Sequence, residues 1–195
     1  MLRPGRPVET VPVQRVRDGV AEVGSDPVTV EEPLEIRVRW REEGRSATRS
    51  VAVTMRTPGH DFELAAGFLF SEGLVSRREE IGEIAYCRDV GEQEYNIVTV
   101  RLRSFAAFDP SLLNRNFYMT SSCGVCGKAS LDAVEVKGCA PLPRGDLTLA
   151  PDVVPVLPDR LLEGQDVFGR TGGIHAAGLF DAGGELRQVR EDVGR

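Results

Sequence analysis

The stretch PLEIRVRW, residues 33–40, does most to limit how this chain can fold. Leu34, Ile36, Val38 and Trp40 alternate with Glu35, Arg37 and Arg39, the period of a half-buried strand. The polar REEGRS, 41–46, turns the chain into SVAVTMRT, 50–57, where Val51, Val53 and Met55 repeat the alternation and predict the second strand of a hairpin. TPGHDFELAAGFLFSEGLV, 57–75, changes period. Phe62, Ala65, Ala66, Leu69 and Phe70 fall on one face of a helix. Pro58 and Gly59 break the strand, His60 or Asp61 is placed to open the helix, and Gly73 to close it. Ser76 and Glu79 have capping-box spacing for a shorter helical turn. EIAYCRDV and EYNIVTVRLRSF predict a second strand pair around a turn at Gly91–Glu94. Hairpin, helix and hairpin imply a mixed α/β or α+β sheet domain rather than a helical bundle.

The flanks are less regular. Residues 1–28 are rich in Pro, Arg and Val without a clear period, and are expected to form an ordered edge or a partly loose N-terminal arm. Residues 141–159 hold five of the 12 prolines and are expected to connect a first lobe, 29–140, to a second, 160–195. In that second lobe RLLEGQDVFGRTGG ends a helix, and GIHAAGLFDAGGELRQVRED predicts two strands joined at Gly183–Gly184. The closing EDVGR carries no stop signal, so the expectation is a domain that continues past Arg195.

Composition removes several functions. A net charge of −6 over 195 residues argues against a general DNA or RNA binder, which needs a basic stripe. No apolar run reaches the roughly 18 residues of a membrane span, and the N-terminus has no apolar signal core. Cys87, Cys123, Cys126 and Cys139 are too few and too unevenly spaced for a disulfide framework, so a reducing, cytoplasmic setting is expected.

SSCGVCGK, 121–128, is the chemical focus. Three uses are open to Cys123 and Cys126. A structural zinc needs a second short-spaced ligand pair, and only Cys87, Cys139, His60 and His175 remain, each alone. No metal site is therefore expected. A zinc deaminase would show H-x-E and then P-C-x-x-C; here Ser122 precedes the first cysteine and His60 stands three residues before Glu63. A thioredoxin-type pair would open a helix behind an aromatic residue, whereas Gly124 and Gly127 suit a close-approach loop. Sulfur carriage uses the displacement chemistry of thiol–disulfide exchange, with Ser121, Ser122 and Lys128 at hand to stabilise a thiolate. Local chemistry alone does not choose between sulfur transfer and redox exchange. Cys87 and Cys139 read as inert thiols.

Two further stretches are candidate ligand contacts. In RTGGIHAAG, 170–178, Gly172 and Gly173 let the backbone approach an anionic group, Arg170 could pair with a phosphate, and His175 could donate a hydrogen bond. The plainer alternative is a tight turn into a strand. In MRTPGHDFE, 55–63, Arg56 and His60 bracket a strand-to-helix junction, where ligands often bind open sheets; the alternative is turn chemistry alone.

Taken in order, EEPLEIRV (31–38), MRTPGHDFELAAGFLFSEGLV (55–75), TSSCGVCGK (120–128), FGRTGGIHAAGLFD (168–181) and REDVGR (190–195) resemble the FdhD family of formate dehydrogenase accessory sulfurtransferases. The resemblance covers residues 29–195. It implies a fold like that of the cytidine deaminases without their zinc chemistry. It also implies a sulfur carrier that takes sulfane sulfur from a cysteine desulfurase as a persulfide. The sulfur then passes to the bis-guanine-dinucleotide molybdenum cofactor, bound as substrate, before insertion into formate dehydrogenase. By position Cys123 would carry the persulfide and Cys126 would be its partner. Arg170, Gly172, Gly173, His175, Arg56 and His60 would be cofactor contacts. A homodimer is a further expectation. The alternatives are a thiol–disulfide oxidoreductase and a non-catalytic cofactor-binding chaperone whose thiols, or a zinc, only hold a loop.

Overall fold

A computed structural model describes residues 5–87, 95–104, 106, 108–114, 145 and 148–194, without the side chains of 112 and 114. The chain falls into two compact units. One comprises Glu32–Arg56 and the described part of 60–141; the other comprises Arg6–Glu31, Thr57–Gly59 and the described residues from 142 onward.

In the first unit β3 (Glu32–Glu42) and β4 (Arg45–Arg56) form the expected antiparallel hairpin. Its turn places Glu43 and Gly44 at φ 48° and 78°, the left-handed pair that a two-residue hairpin turn requires. β5 (Ile81–Tyr86) and β6 (Ile97–Leu102) are also antiparallel, and β6 lies parallel beside β3, giving the sheet order β4-β3-β6-β5. The register sets Ile36 beside Val98 and Val38 beside Val100. The apolar rows of both strands therefore share one face, on which α1 (Asp61–Ser71) lays Ala65 and Leu69. Leu34, Ile36, Val38, Val98, Val100, Ala65 and Leu69 are fully buried. Burying one such aliphatic side chain contributes about 1.5–3 kcal/mol.

Three details depart from the sequence pattern. First, β4 carries a bulge: Ala52 pairs with Ile36 and Ser50 with Arg37, leaving Val51 without a partner on β3. An extra residue flips every later side chain to the other face. Val51 and Ala52 are thus both buried, Val53 and Met55 are exposed, and Arg56 turns inward. Second, the buried stripe of α1 is Asp61, Ala65 and Leu69, while Phe62 and Phe70 are exposed. The helix meets the sheet on its 61/65/69 side, with Leu64 and Phe68 half-buried, and Phe62 lies against Tyr86 at 4.9 Å. Third, the acid serving Ser76 is Glu80 rather than Glu79. The Ser76 N–H and Oγ donate to Glu80 Oε2 and Oε1 at 2.8 and 2.9 Å, across a single 3-10 turn, Arg78–Glu80.

Burial of Glu80 works against its charge, but the Ser76 hydrogen bonds and the neighbouring Arg77 outweigh it and hold the carboxyl below its usual range. A depressed pKa adds stability above the ordinary Glu range, lost as pH falls through the lowered value. Glu80→Gln should therefore be less stable than the parent at pH 7, by about 1 kcal/mol, with the difference shrinking as pH falls. Urea melts at pH 7 and pH 3 measure this; an equal gap at both would exclude it.

In the second unit the N-terminal stretch, expected as an ordered edge or a partly loose arm, forms a hairpin, β1 (Val8–Arg17) with β2 (Val20–Thr29). Asp18–Gly19 forms its turn, at φ 52° and 82°. The helical segment is two helices, α2 (Leu157–Glu163) and α3 (Asp166–Thr171), parted at Gly164–Gln165. The first begins inside the proline-rich stretch, because Pro158 sits in its opening turn, where the missing N–H costs nothing. α3 packs on β2, and α2 on the hairpin of β7 (His175–Phe180) and β8 (Leu186–Asp192). Its turn is organised by Asp181, whose Oδ1 accepts the N–H groups of Gly183 and Glu185 and whose Oδ2 binds Arg187.

Gly184 sits in that turn at φ 75°, and a Cβ there would come within 2.7 Å of both Val153 Cγ1 and Arg160 Nη1. Gly184→Ala combines left-handed strain with a clash, and is expected to cost about 2–4 kcal/mol. A shift of less than about 1 kcal/mol in a denaturant melt would contradict this packing. Among the described residues no helix is long and apolar enough to cross a membrane.

Candidate functional site

Cys123, Cys126 and Cys139 lie outside the described residues. Cys87, half-buried just after β5, donates its N–H to the Ile97 carbonyl at 2.9 Å. Among the described residues no three His, Cys, Asp or Glu side chains gather as a metal site would require.

The bulge in β4 delivers Arg56 to the buried side of its sheet, where the side chain has no solvent exposure. Nε and Nη2 donate to the two oxygens of Asp61, both at 3.2 Å. Nη1 donates to Glu32 Oε2 at 2.8 Å, and Nη2 also reaches the Tyr95 carbonyl at 3.2 Å. Asp61, the first residue of α1, additionally accepts the Tyr86 hydroxyl at 3.0 Å. Burial, then the charge of Asp61 and that hydrogen bond, push the Tyr86 phenol far above its usual range, so it remains a donor. Arg56 therefore joins the start of β3 and the end of β4 to the start of α1 and to the Tyr95 carbonyl just ahead of β6, and Asp61 extends the link to Tyr86 of β5. His60 precedes α1, is half exposed, makes no side-chain cap, and sits 3.4 Å from Glu63.

The second cluster is built on α3. Gly172 caps the helix at φ 65°, its N–H donating to the Phe168 carbonyl at 2.7 Å, a left-handed cap that glycine adopts without a Cβ penalty. A Cβ on Gly172 or on Gly173 would meet nothing closer than 3.9 Å, so one side of the turn is open. Arg170 and His175 are exposed, and neither bonds to a described side chain. Thr171 ties the turn down: its Oγ1 donates to the Val167 carbonyl at 2.8 Å and lies 2.9 Å from the Thr29 hydroxyl of β2.

Two residues to which the sequence assigns no definite role hold this turn and its neighbour. Glu191 accepts the N–H groups of Val167 and Phe168 at 2.9 and 2.8 Å, capping the otherwise open first turn of α3. Asp192, paired with His175 across β7 and β8, accepts the Thr57 N–H at 3.2 Å and the Gly194 N–H at 2.7 Å. Thr57 Oγ1 in turn accepts the Val193 N–H at 3.2 Å. The acidic pair in REDVG thus fixes both the start of the RTGG helix and the Thr57–Gly59 turn. Chain position carries no sign of it, since Thr57 and Asp192 are 135 residues apart.

Comparison with known proteins agrees with the ordered motifs. A sulfur carrier protein FdhD of Streptomyces coelicolor is 46% identical over 195 residues, covering 98% of this chain and 66% of that one. The protein of the same name from Mycobacterium tuberculosis is 47% identical over 176 residues, with 86% and 60% covered. Another, from Sulfolobus acidocaldarius, is 37% identical over 188 residues, with 96% and 65% covered. The chain thus spans just under two thirds of the length of these relatives. A crystal structure of a protein from Desulfotalea psychrophila, assigned as a formate dehydrogenase accessory protein, superposes with a TM-score of 0.64. At 21% identity over 96% of this chain and 64% of that one, it shows a shared fold. The family model for FdhD/NarQ matches residues 29–195, the span over which the motifs run in order, and the chain belongs to that family.

Proposed function

We propose that this chain is a sulfur carrier that takes sulfane sulfur from a cysteine desulfurase and delivers it to a guanine-dinucleotide molybdenum cofactor bound as substrate, for use in formate dehydrogenase. The observation that carries the reading is the C-x-x-C pair, Cys123 and Cys126, in a chain 46% identical to a relative named as a sulfur carrier. The Cys123 thiolate attacks the outer sulfur of the donor persulfide; that S–S bond breaks, the donor thiolate leaves, and Cys123 holds a persulfide. No net oxidation occurs. Cys126 then has a balanced second role. Its thiolate attacks the inner sulfur of that persulfide, a Cys123–Cys126 disulfide forms, and the outer sulfur departs as hydrosulfide, reduced by the two electrons the thiols give up. This chemistry, in a cytoplasmic protein acting as a monomer or homodimer, needs no resident metal.

Incubation with a desulfurase and cysteine should add about 32 Da, one sulfur atom, to the intact protein. A mass unchanged under conditions that load a known acceptor would overturn the reading.

The open turn on α3 supports a contact with the cofactor's phosphates: Arg170 as an exposed cation, the Gly172–Gly173 backbone for close approach, and His175 as a donor. Arg56 acts from inside, by setting the position of α1 and of His60. Arg170→Ala should weaken binding of guanosine diphosphate about tenfold, the loss of one charge-assisted contact, with the melting temperature unchanged. An unaltered titration curve would remove Arg170 from the site.

A further inference from the structure

The open face of the sheet in the first unit collects positive charge in a chain that is acidic overall. Arg37, Arg39 and Arg41 of β3 point away from the buried row, as do Arg101 of β6 and Arg103 just beyond it. Arg37 is committed to Glu35, donating from Nε and Nη2 at 2.9 and 2.8 Å. The others are less engaged. Arg39 donates Nε to Thr48 Oγ1 at 3.1 Å, Arg101 donates Nε to Glu83 at 3.1 Å, and Arg41 and Arg103 bond to no described side chain. Arg39 and Arg101 are register neighbours on the parallel pair β3 and β6. Like charges placed side by side on a sheet repel and lower stability, unless something negative lies between them.

These four arginines line a cavity of about 540 Å³ where β3 and β6 run out. The carboxyl ends of parallel strands are where open sheets take their ligands. Ser46 and Ser104 add hydroxyls to the wall, and among the described residues no acidic side chain lines it. Trp40 lines it too. Its side chain is 6% exposed, and its Nε1 is a buried donor with no acceptor among the described residues. A Cβ on Gly82 would sit 3.3 Å from the Arg101 carbonyl and Arg103 Cγ and 3.4 Å from Arg101 Nη1, so a side chain there would crowd both arginines. A second cavity of about 330 Å³ shares Arg39 and Arg101 and carries Glu83 and Cys87 on its far side.

We propose that this cleft binds a small phosphoryl-bearing anion through Arg39, Arg41, Arg101 and Arg103, with the Ser46 and Ser104 hydroxyls completing the donor set. Apart from Glu83, which takes only the Nε of Arg101, the described lining offers guanidinium forks and neutral donors, which matches a group dense in acceptor oxygens. Two adjoining cavities sharing a pair of arginines suit a diphosphate better than a single phosphate. An acidic peptide would spread its carboxylates along the strands, where Glu35 already holds both prongs of Arg37. None of these residues has a role in the proposed sulfur transfer, so the inference stands or falls without it.

Titration of the full chain with sodium pyrophosphate tests this, by calorimetry and by the emission of Trp40, the protein's single tryptophan. In the Arg170→Ala background, which removes the phosphate contact proposed on α3, we expect saturable binding of one pyrophosphate per chain with a change in Trp40 emission, and affinity at least tenfold weaker when Arg41→Gln/Arg103→Gln is added. Both arginines are exposed and unpaired with described side chains, so that variant should melt with the parent; each single variant should fall between. Adenosine diphosphate binding as well as pyrophosphate would show that the diphosphate alone is read, and tighter binding would show that a nucleotide is preferred; both sustain the site. Absence of saturable heat, equal affinity in the double variant, or an emission change reproduced by sodium chloride at matched ionic strength would overturn it. Hexaglutamate binding where pyrophosphate does not would also overturn it, and would assign the face to an acidic protein.

Discussion

Replacing Arg56 with methionine is expected to destabilise the protein by about 3–5 kcal/mol, a large part of what a domain of this size has. The loss is not that of one ion pair. Arg56 and Asp61 have side-chain exposures of 0% and 1%, so removing the guanidinium leaves a carboxylate in the core without its counter-charge, although the Tyr86 hydroxyl still donates to it. It also removes one donor each from the Tyr95 carbonyl and from Glu32. Two comparisons separate an uncompensated charge from lost packing. Arg56→Met/Asp61→Leu should recover much of the loss, because an apolar pair of similar volume avoids the desolvation cost. Arg56→Lys should fall between, since an ammonium supplies charge without the two-pronged geometry. Urea denaturation reads all three. A double variant no better than the single would place the penalty in shape instead of charge.

Cys123→Ser should abolish desulfurase-dependent sulfur loading, while Cys126→Ser should load and then retain its sulfur. A hydroxyl has no thiolate to offer at neutral pH, so the first transfer has no nucleophile. Without Cys126 the persulfide on Cys123 has no internal attacker, and hydrosulfide release should fall by an order of magnitude or more. Intact-mass measurement after loading, repeated over time, distinguishes the two. If Cys123→Ser carries the added mass and Cys126→Ser does not, the two roles are exchanged.

Strands whose two faces differ could be read directly. β3 and β6 alternate strictly because one row of each is fully buried and the other faces polar surroundings. The β1–β2 hairpin had no such contrast: Val16, Val20 and Val23 are all exposed, so its apolar residues follow no burial period. Its one local sign was Asp18–Gly19, a dipeptide suited to a hairpin turn but flanked by no clear alternation. The site was legible in its residue types and less so in their duties. Arg56 stands out beside the Pro–Gly turn, yet its burial follows from an unpaired Val51 five residues earlier, which no propensity announces. Glu191 and Asp192 act through amides far away in the chain, and only the folded path brings those amides to them.

The unpaired Val51 gives the end of β4 a parity. Between it and Arg56 lie four residues that count off which face each side chain takes. Lengthening or shortening that interval by one would send Val53 and Met55 into the core and swing Arg56 out among the arginines of the open face. A change of two would leave every assignment intact. Length variation in this stretch should therefore be tolerated only in even steps, with the buried arginine as the residue that registers the count.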